Sequence, residues 1–166
     1  MESHIYRFLL HACGELMIKN KLSIAFAESA TAGRITAEFA MIPDAGKFLK
    51  GGIICYDAAI KHSLLKVPEQ QLETFSPESE IVTLSITAGL QRLIPATIHV
   101  GCTGLTAPGG SETKEKPVGT MFLYGISGHE LIFSERTVYQ GSPQDIVEQT
   151  VMRVAQLLHA YLLDKE

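Results

Sequence analysis

The side chains best suited to chemistry lie in three polar stretches, each placed directly after an apolar run. The first is Glu28-Ser29-Ala30-Thr31-Ala32-Gly33, following Leu22 to Ala27. It offers a carboxylate at the end of a strand, where open α/β sheets bind ligands. Its two hydroxyls could cap the next helix, or join that helix's free N–H groups around an anion. The second runs from Tyr56 to Lys61. A tyrosine and a lysine meeting there could form an acid/base pair, the lysine pKa lowered by burial or a neighbouring cation. The alternative is a solvated Lys61 and a Tyr56 packed at the sheet end. The third is Val100 to Thr120, VGCTGLTAPGGSETKEKPVGT. Its Gly101, Gly104, Gly109 and Gly110 allow close backbone approach, and successive amides in such turns can hold an anion. Thr103, Thr106, Lys114 and Lys116 would favour a phosphate or carboxylate. A long hairpin loop needing glycines only for its turns is the competing reading. Walker and GxGxxG patterns are absent.

The elements that must position these stretches follow from periodicity. Ser3 to Lys19 predicts an amphipathic helix with Ser3 as N-cap and Ile5, Phe8, Leu9, Ala12, Leu16 and Met17 on its apolar face. Leu22 to Ala27 predicts a strand, Arg34 to Met41 a helix, and Pro43 to Gly46 a turn. Phe48 to Tyr56 predicts a buried strand with a bulge or close approach at Gly51-Gly52, and Asp57 caps a short helix after it. Glu78 to Leu93 predicts a helix stopped by Pro95, and Thr97 to Val100 a strand. Two runs, Val118 to Ile126 and Leu131 to Tyr139, predict a hairpin. Ser142 and Pro143 start a last helix whose face carries Ile146, Val147, Val151, Val154, Leu157, Leu158 and Leu162. This order implies one α/β domain over residues 1–166, three-layered α/β/α, with a mixed β-sheet and a C-terminal antiparallel hairpin.

Composition bounds the function. With 166 residues, 46% hydrophobic and 19% charged, the chain can bury a proper core. A net charge of −4 argues against a nucleic-acid partner, and no apolar run is long enough for a membrane. Cys13, Cys55 and Cys102 lack metal or redox spacing, which fits core thiols in a reducing cytoplasm. His4 and His11 lie seven apart with no third ligand, so no metal is expected.

Taken together, the three corners resemble the C-terminal domain of CinA, a family that includes stand-alone nicotinamide mononucleotide deamidases (nicotinamide-nucleotide amidases). Its Ala-Glu-Ser-x-Thr-x-Gly motif resembles Ala27 to Gly33. Its Gly-Gly-(apolar)-Tyr…Lys segment is similar to Gly51-Gly52-Ile53-Ile54-Cys55-Tyr56…Lys61. Its Thr-Gly-x-x-Gly-Pro-Gly-Gly…Lys-Pro-Val-Gly-Thr motif is matched by Thr103 to Gly110 and Lys116 to Thr120. The resemblance covers nearly the whole chain, without the large N-terminal domain of longer CinA proteins.

The resemblance implies cleavage of a nucleotide carboxamide to ammonia and a nicotinic acid nucleotide, with no metal or cofactor. It implies Lys61 as base with Tyr56 as partner. Glu28, Ser29, Thr31, Gly33, Thr103, Gly104, Gly109, Gly110 and Lys116 would bind a pyridine nucleotide, in a cytoplasmic homo-oligomer. One departure matters. The family nucleophile is the second serine of a Gly-Ser-Ser after Pro43, and these positions read Asp44-Ala45-Gly46. Gly46 has no side chain to attack with. Ala32 and Ala107 also replace glycines. Two expectations follow: an amidohydrolase using a substitute nucleophile (Ser29, Thr31, Ser63, Thr103 or a water), or a nucleotide-binding protein without turnover.

Overall fold

In the computed structural model, residues 2–165 are described, with side chains from Tyr6 to Lys165. Five strands form one mixed sheet in the order β2-β1-β3-β4-β5. They are β1 Ile24–Glu28, β2 Leu49–Ile54, β3 Ile98–Gly104, β4 Thr120–Ser127 and β5 Glu130–Val138. β1 pairs in parallel with β2 and β3, while β3-β4 and β4-β5 are antiparallel. The helices are α1 Glu2–Lys19, α2 Arg34–Ala40, α3 Ala58–Ser63, α4 Glu69–Phe75, α5 Glu80–Leu93 and α6 Pro143–Leu163. α1, α2 and α6 pack together on one face, and α5, with α4 beside it, covers the other. This is the expected three-layer domain.

The centre of the sheet is dry because its sequence is apolar on both faces. Every residue of β1 and β3 is buried. Phe26 joins the core beneath α1, α2 and α6 with Met17, Phe39, Val154 and Leu158. Its neighbours Ala25 and Ala27 point the other way, against Leu65, Ile86 and Leu90. The small alanines let α5 lie close. Burying a side chain the size of Phe26 contributes about 2–3 kcal/mol.

Capping chemistry sets several boundaries. Ser142 accepts from the Asp145 amide and Asp145 accepts in return, a full capping box ahead of α6. Asp57 caps α3 through the Ala59 amide at 2.7 Å. α5 begins at Glu80 rather than Glu78, because Ser79 accepts from the Val82 amide and is the cap. α4 has no counterpart among the expected elements. α1 includes Ser3, so no cap lies there. Its buried stripe is Leu10, Cys13 and Met17, and Phe8 is 73% exposed. The face is rotated because α6, not the sheet alone, sets the contact. The His4 side chain lies outside the described residues, and His11 is exposed.

β2 differs from expectation in a way that matters below. It is an edge strand, not a buried one, and its residues alternate between half-buried and exposed. Both roles foreseen for its glycine pair occur. The register slips opposite Ile24/Ala25, with Gly51 at φ +131°. A Cβ on Gly52 would come within 2.2 Å of the Thr36 hydroxyl, so only glycine lets α2 sit this near. The hairpin turn is Gly128-His129, as read from the sequence.

Candidate active site

At the carboxyl end of β1, the Glu28 side chain turns inward and is fully buried. One oxygen accepts from the Thr31 hydroxyl at 2.7 Å, the Gly33 amide at 3.1 Å and the Ile35 amide at 3.0 Å. The other accepts from the Thr36 amide at 2.7 Å and its hydroxyl at 2.6 Å. The start of α2 attracts an anion through its free amides and dipole, and the chain supplies that anion itself. The capping expectation is thereby corrected. Neither Ser29 nor Thr31 caps α2; the cap position is Gly33, at φ 93° and without a side-chain bond. Glu28 and Thr31 are buried, and the Thr31 hydroxyl and Gly33 amide both donate to Glu28. Ala32 sits at φ 48° in the left-handed region.

The hydroxyl left over is Ser29. Its amide donates to the Cys102 carbonyl at 3.0 Å, which ties the corner to β3. Its Oγ accepts from Lys61 Nζ at 2.9 Å. Lys61 comes from α3, whose start is fixed by Asp57, and is fully buried. Its second contact is the Tyr56 main-chain carbonyl at 3.3 Å. Burial holds the Lys61 pKa below the usual lysine value, partly opposed by Cys55, Glu78 and Asp57. The expectation of a solvated Lys61 is therefore overturned. Tyr56 meets Lys61 through its carbonyl, and the residue is 65% exposed.

The glycine loop spends its polarity internally. The Thr103 hydroxyl is buried against that of Thr83 at 2.8 Å. The Gly109 amide donates to Glu112 Oε1 at 2.8 Å. Amides of Gly109 and Gly110 help hold the Glu112 carboxyl below the usual carboxylate range, Gly109 foremost. The anion-binding turn foreseen from the glycines exists, and a carboxylate of the same loop fills it. Lys116 Nζ donates to Ser76 Oγ at 2.5 Å, Ser111 Oγ at 2.7 Å and the Glu78 carbonyl at 2.9 Å. An ammonium has three N–H groups, so Lys116 is a latch between the loop and residues 76–78, with none left for a ligand.

Between the loop and the Ser29 corner lies a cavity of about 270 Å³. Ser29, Tyr56, Gly104, Gly109 and Gly110 line it, as do Leu105, Thr106 and Glu78. Glu78 was hidden in the sequence, because its position before an apolar period reads as the first turn of a helix. A larger groove of about 920 Å³ runs along α1, α2 and α6. Two of its three arginines are already paired there, Arg34 with Glu38 at 2.7 Å and Arg153 with Glu135 at 2.6 Å. None of the three polar corners reaches it beyond Arg34's neighbourhood, and the smaller cavity is the one with reactive groups.

Gly46 lies in a 3₁₀ turn, Ala45–Lys47, before β2, whereas Tyr56 and Lys61 follow β2. A strand of six residues separates them, roughly 20 Å at about 3.3 Å per residue. Of the other hydroxyls considered, those of Thr31 and Thr103 are engaged and Ser63 is exposed. Among the described residues no cluster of His, Cys, Asp and Glu could hold a metal, and no helix is long and apolar enough to cross a membrane. The three cysteines are buried and unbridged.

Comparison with known proteins places the chain among relatives. A CinA-like protein of Sulfurihydrogenibium is 32% identical over 151 residues, covering 90% of this chain and 37% of that protein. One from Thermotoga is 33% identical, covering 91% and 36%. The chain thus spans less than two fifths of these relatives. A solved CinA superfamily protein from Klebsiella pneumoniae superposes with a TM-score of 0.90 at 23% identity, covering 96% and 98% of the two chains. The family model for the CinA C-terminal domain matches residues 7–162. With that match over most of its length, and relatives above 30% identity, the chain belongs to the CinA C-terminal domain family.

Proposed function

We propose that this protein is an amidohydrolase acting on a pyridine nucleotide carboxamide such as nicotinamide mononucleotide, with Ser29 as nucleophile and Lys61 as its base. One observation carries the reading. A buried lysine with a lowered pKa donates to a serine hydroxyl at 2.9 Å, and that serine lines a cavity. Burial favours the neutral amine, which can accept a proton.

The steps balance without a metal. Neutral Lys61 takes the Ser29 proton as Oγ bonds to the amide carbon. The tetrahedral intermediate collapses as Lys61 returns that proton to the departing nitrogen, releasing ammonia and leaving an ester on Ser29. Water then attacks the ester, giving its proton to Lys61. Lys61 passes it to Ser29 Oγ as the acid leaves. In this reading Tyr56, which lines the cavity, contacts the substrate, and its carbonyl accepts from Lys61.

Gly46 motivates a second reading, a nucleotide binder without turnover. The two separate in an ammonia-release assay with nicotinamide mononucleotide. Turnover by the native protein that is lost in Ser29→Ala supports the dyad. No turnover, with nucleotide binding retained, supports the binder. Assembly into a homo-oligomer also belongs to this reading. β2 is an edge strand, and Ile54, Tyr56, Ile60 and Leu64 beside it are 40–65% exposed. Sedimentation at equilibrium tests it; a monomer at micromolar concentration would end it. A reducing, cytoplasmic setting fits the three free thiols.

A further inference from the structure

Glu78 is the only charged side chain lining the cavity among the described residues. One carboxylate oxygen, Oε2, accepts from the Ser111 hydroxyl at 2.5 Å. A carboxylate can accept several hydrogen bonds through both oxygens, and Oε1 has no partner among the described residues. Lys116 feels its charge and bonds to the Glu78 carbonyl and to Ser111, not to a carboxylate oxygen. Lys61 feels its charge and bonds elsewhere. The cavity wall thus presents a negative acceptor without an equal positive group facing the same space.

We propose that Glu78 is a specificity-determining residue: it selects ligands that place a cationic, aromatic ring nitrogen beside the reacting amide. This rests on the amidohydrolase reading for the identity of the reacting group. An N-substituted pyridinium carboxamide meets both demands, a delocalised positive ring and amide hydrogens to donate. Its uncharged dihydropyridine form keeps the amide, ribose and phosphate and loses the ring charge together with the aromaticity, so the Glu78 variant below is what isolates the charge. A carboxylate product would face Glu78 with like charge, which aids its departure.

The test compares binding of nicotinamide mononucleotide and its reduced, dihydropyridine form by calorimetry, so turnover is not the readout. Ser29→Ala serves as the background, to keep the ligand intact. The oxidised form should bind about tenfold more tightly, as one partly screened charge contact allows. Glu78→Gln should bring the two affinities together. Ser111→Ala, which drops the hydrogen bond to Glu78 and keeps its charge, should preserve the preference. Equal affinities in the background protein, or an unchanged ratio in Glu78→Gln, overturn the role of Glu78 and leave the amidohydrolase reading standing. If neither nucleotide binds, both fall.

Discussion

Lys61 is fully buried and Lys116 half-buried, and burial lowers the pKa of each. They end in opposite roles because their bonding differs. Lys116 has three oxygen acceptors for three N–H groups, one of them beside the Glu78 carboxylate. Its charge is used to hold a loop. Lys61 has two contacts, a hydroxyl and a carbonyl, and no carboxylate in bonding distance. Glu28 extends the lesson to anions, with five donors on two oxygens. A polar group with every bond taken is scaffold; one left short is available for chemistry.

The sharpest way to break this contrast is to remove the group left short. Lys61→Met keeps volume and apolar packing and removes the amine. Ammonia release should fall by at least about 10⁴-fold, as for a hydrolase losing its base or nucleophile, with circular dichroism unchanged. In the native protein, kcat/KM should rise with pH through an inflection below that of free lysine, since only the neutral amine accepts a proton. The same lowered pKa has a folding sign. Between the folded value and that of free lysine, the unfolded chain binds a proton the folded chain lacks, so this residue makes stability rise with pH there. A flat activity profile across that window would remove Lys61 from the role of base.

Next in size is Glu28→Gln. Both carboxylate oxygens accept, so the new amide must aim its own hydrogens at other donors. The expected cost is about 2–4 kcal/mol in urea unfolding; a loss under 1 kcal/mol would mean α2 does not depend on this anion. Lys116→Met should cost about 1–2 kcal/mol and act on the loop, raising KM several-fold while kcat holds. A kcat loss as deep as that of Lys61→Met would erase the distinction between the two lysines.

Smaller effects test the backbone. Ala32→Gly relieves a left-handed φ of 48° and should gain about 0.5 kcal/mol, the strain relieved exceeding the added chain entropy of glycine. Chemical denaturation measures it, and a loss would show that Ala32 is unstrained. Smallest is Gly46→Ser. A Cβ there meets nothing within 4 Å, so stability should stay within about 0.5 kcal/mol. Ammonia release should not change, because the position lies a strand's length from Lys61. A large gain would bring that turn into the reacting centre, from the same chain or another copy.

Much of the fold was legible in the residues. The Ser142 cap with Pro143 after it, the Asp57 cap, the hairpin around Gly128-His129 and the two roles of Gly51-Gly52 are local chemistry, and local chemistry is written in short windows of sequence. So are the three polar corners. What failed was anything depending on a distant neighbour. β2 reads as buried from its apolar residues, and only sheet order makes it an edge. α4 has too few residues for a clear period. Phe8 belongs to the apolar pattern of α1 and ends 73% exposed because α6 chose another stripe.

By itself, the sequence determined that the chain carries amides suited to anions and a lysine, a tyrosine and hydroxyls suited to acid/base chemistry. The tertiary structure alone decided which of these are consumed. Folding brought Glu28 onto the start of α2, Glu112 onto the glycine turn, and Lys116 onto Ser76 and Ser111. It left Lys61 buried on Ser29. The reason is that hydrogen-bond saturation is a property of three-dimensional neighbours, and no spacing along the chain counts the donors that will surround an atom once water is gone.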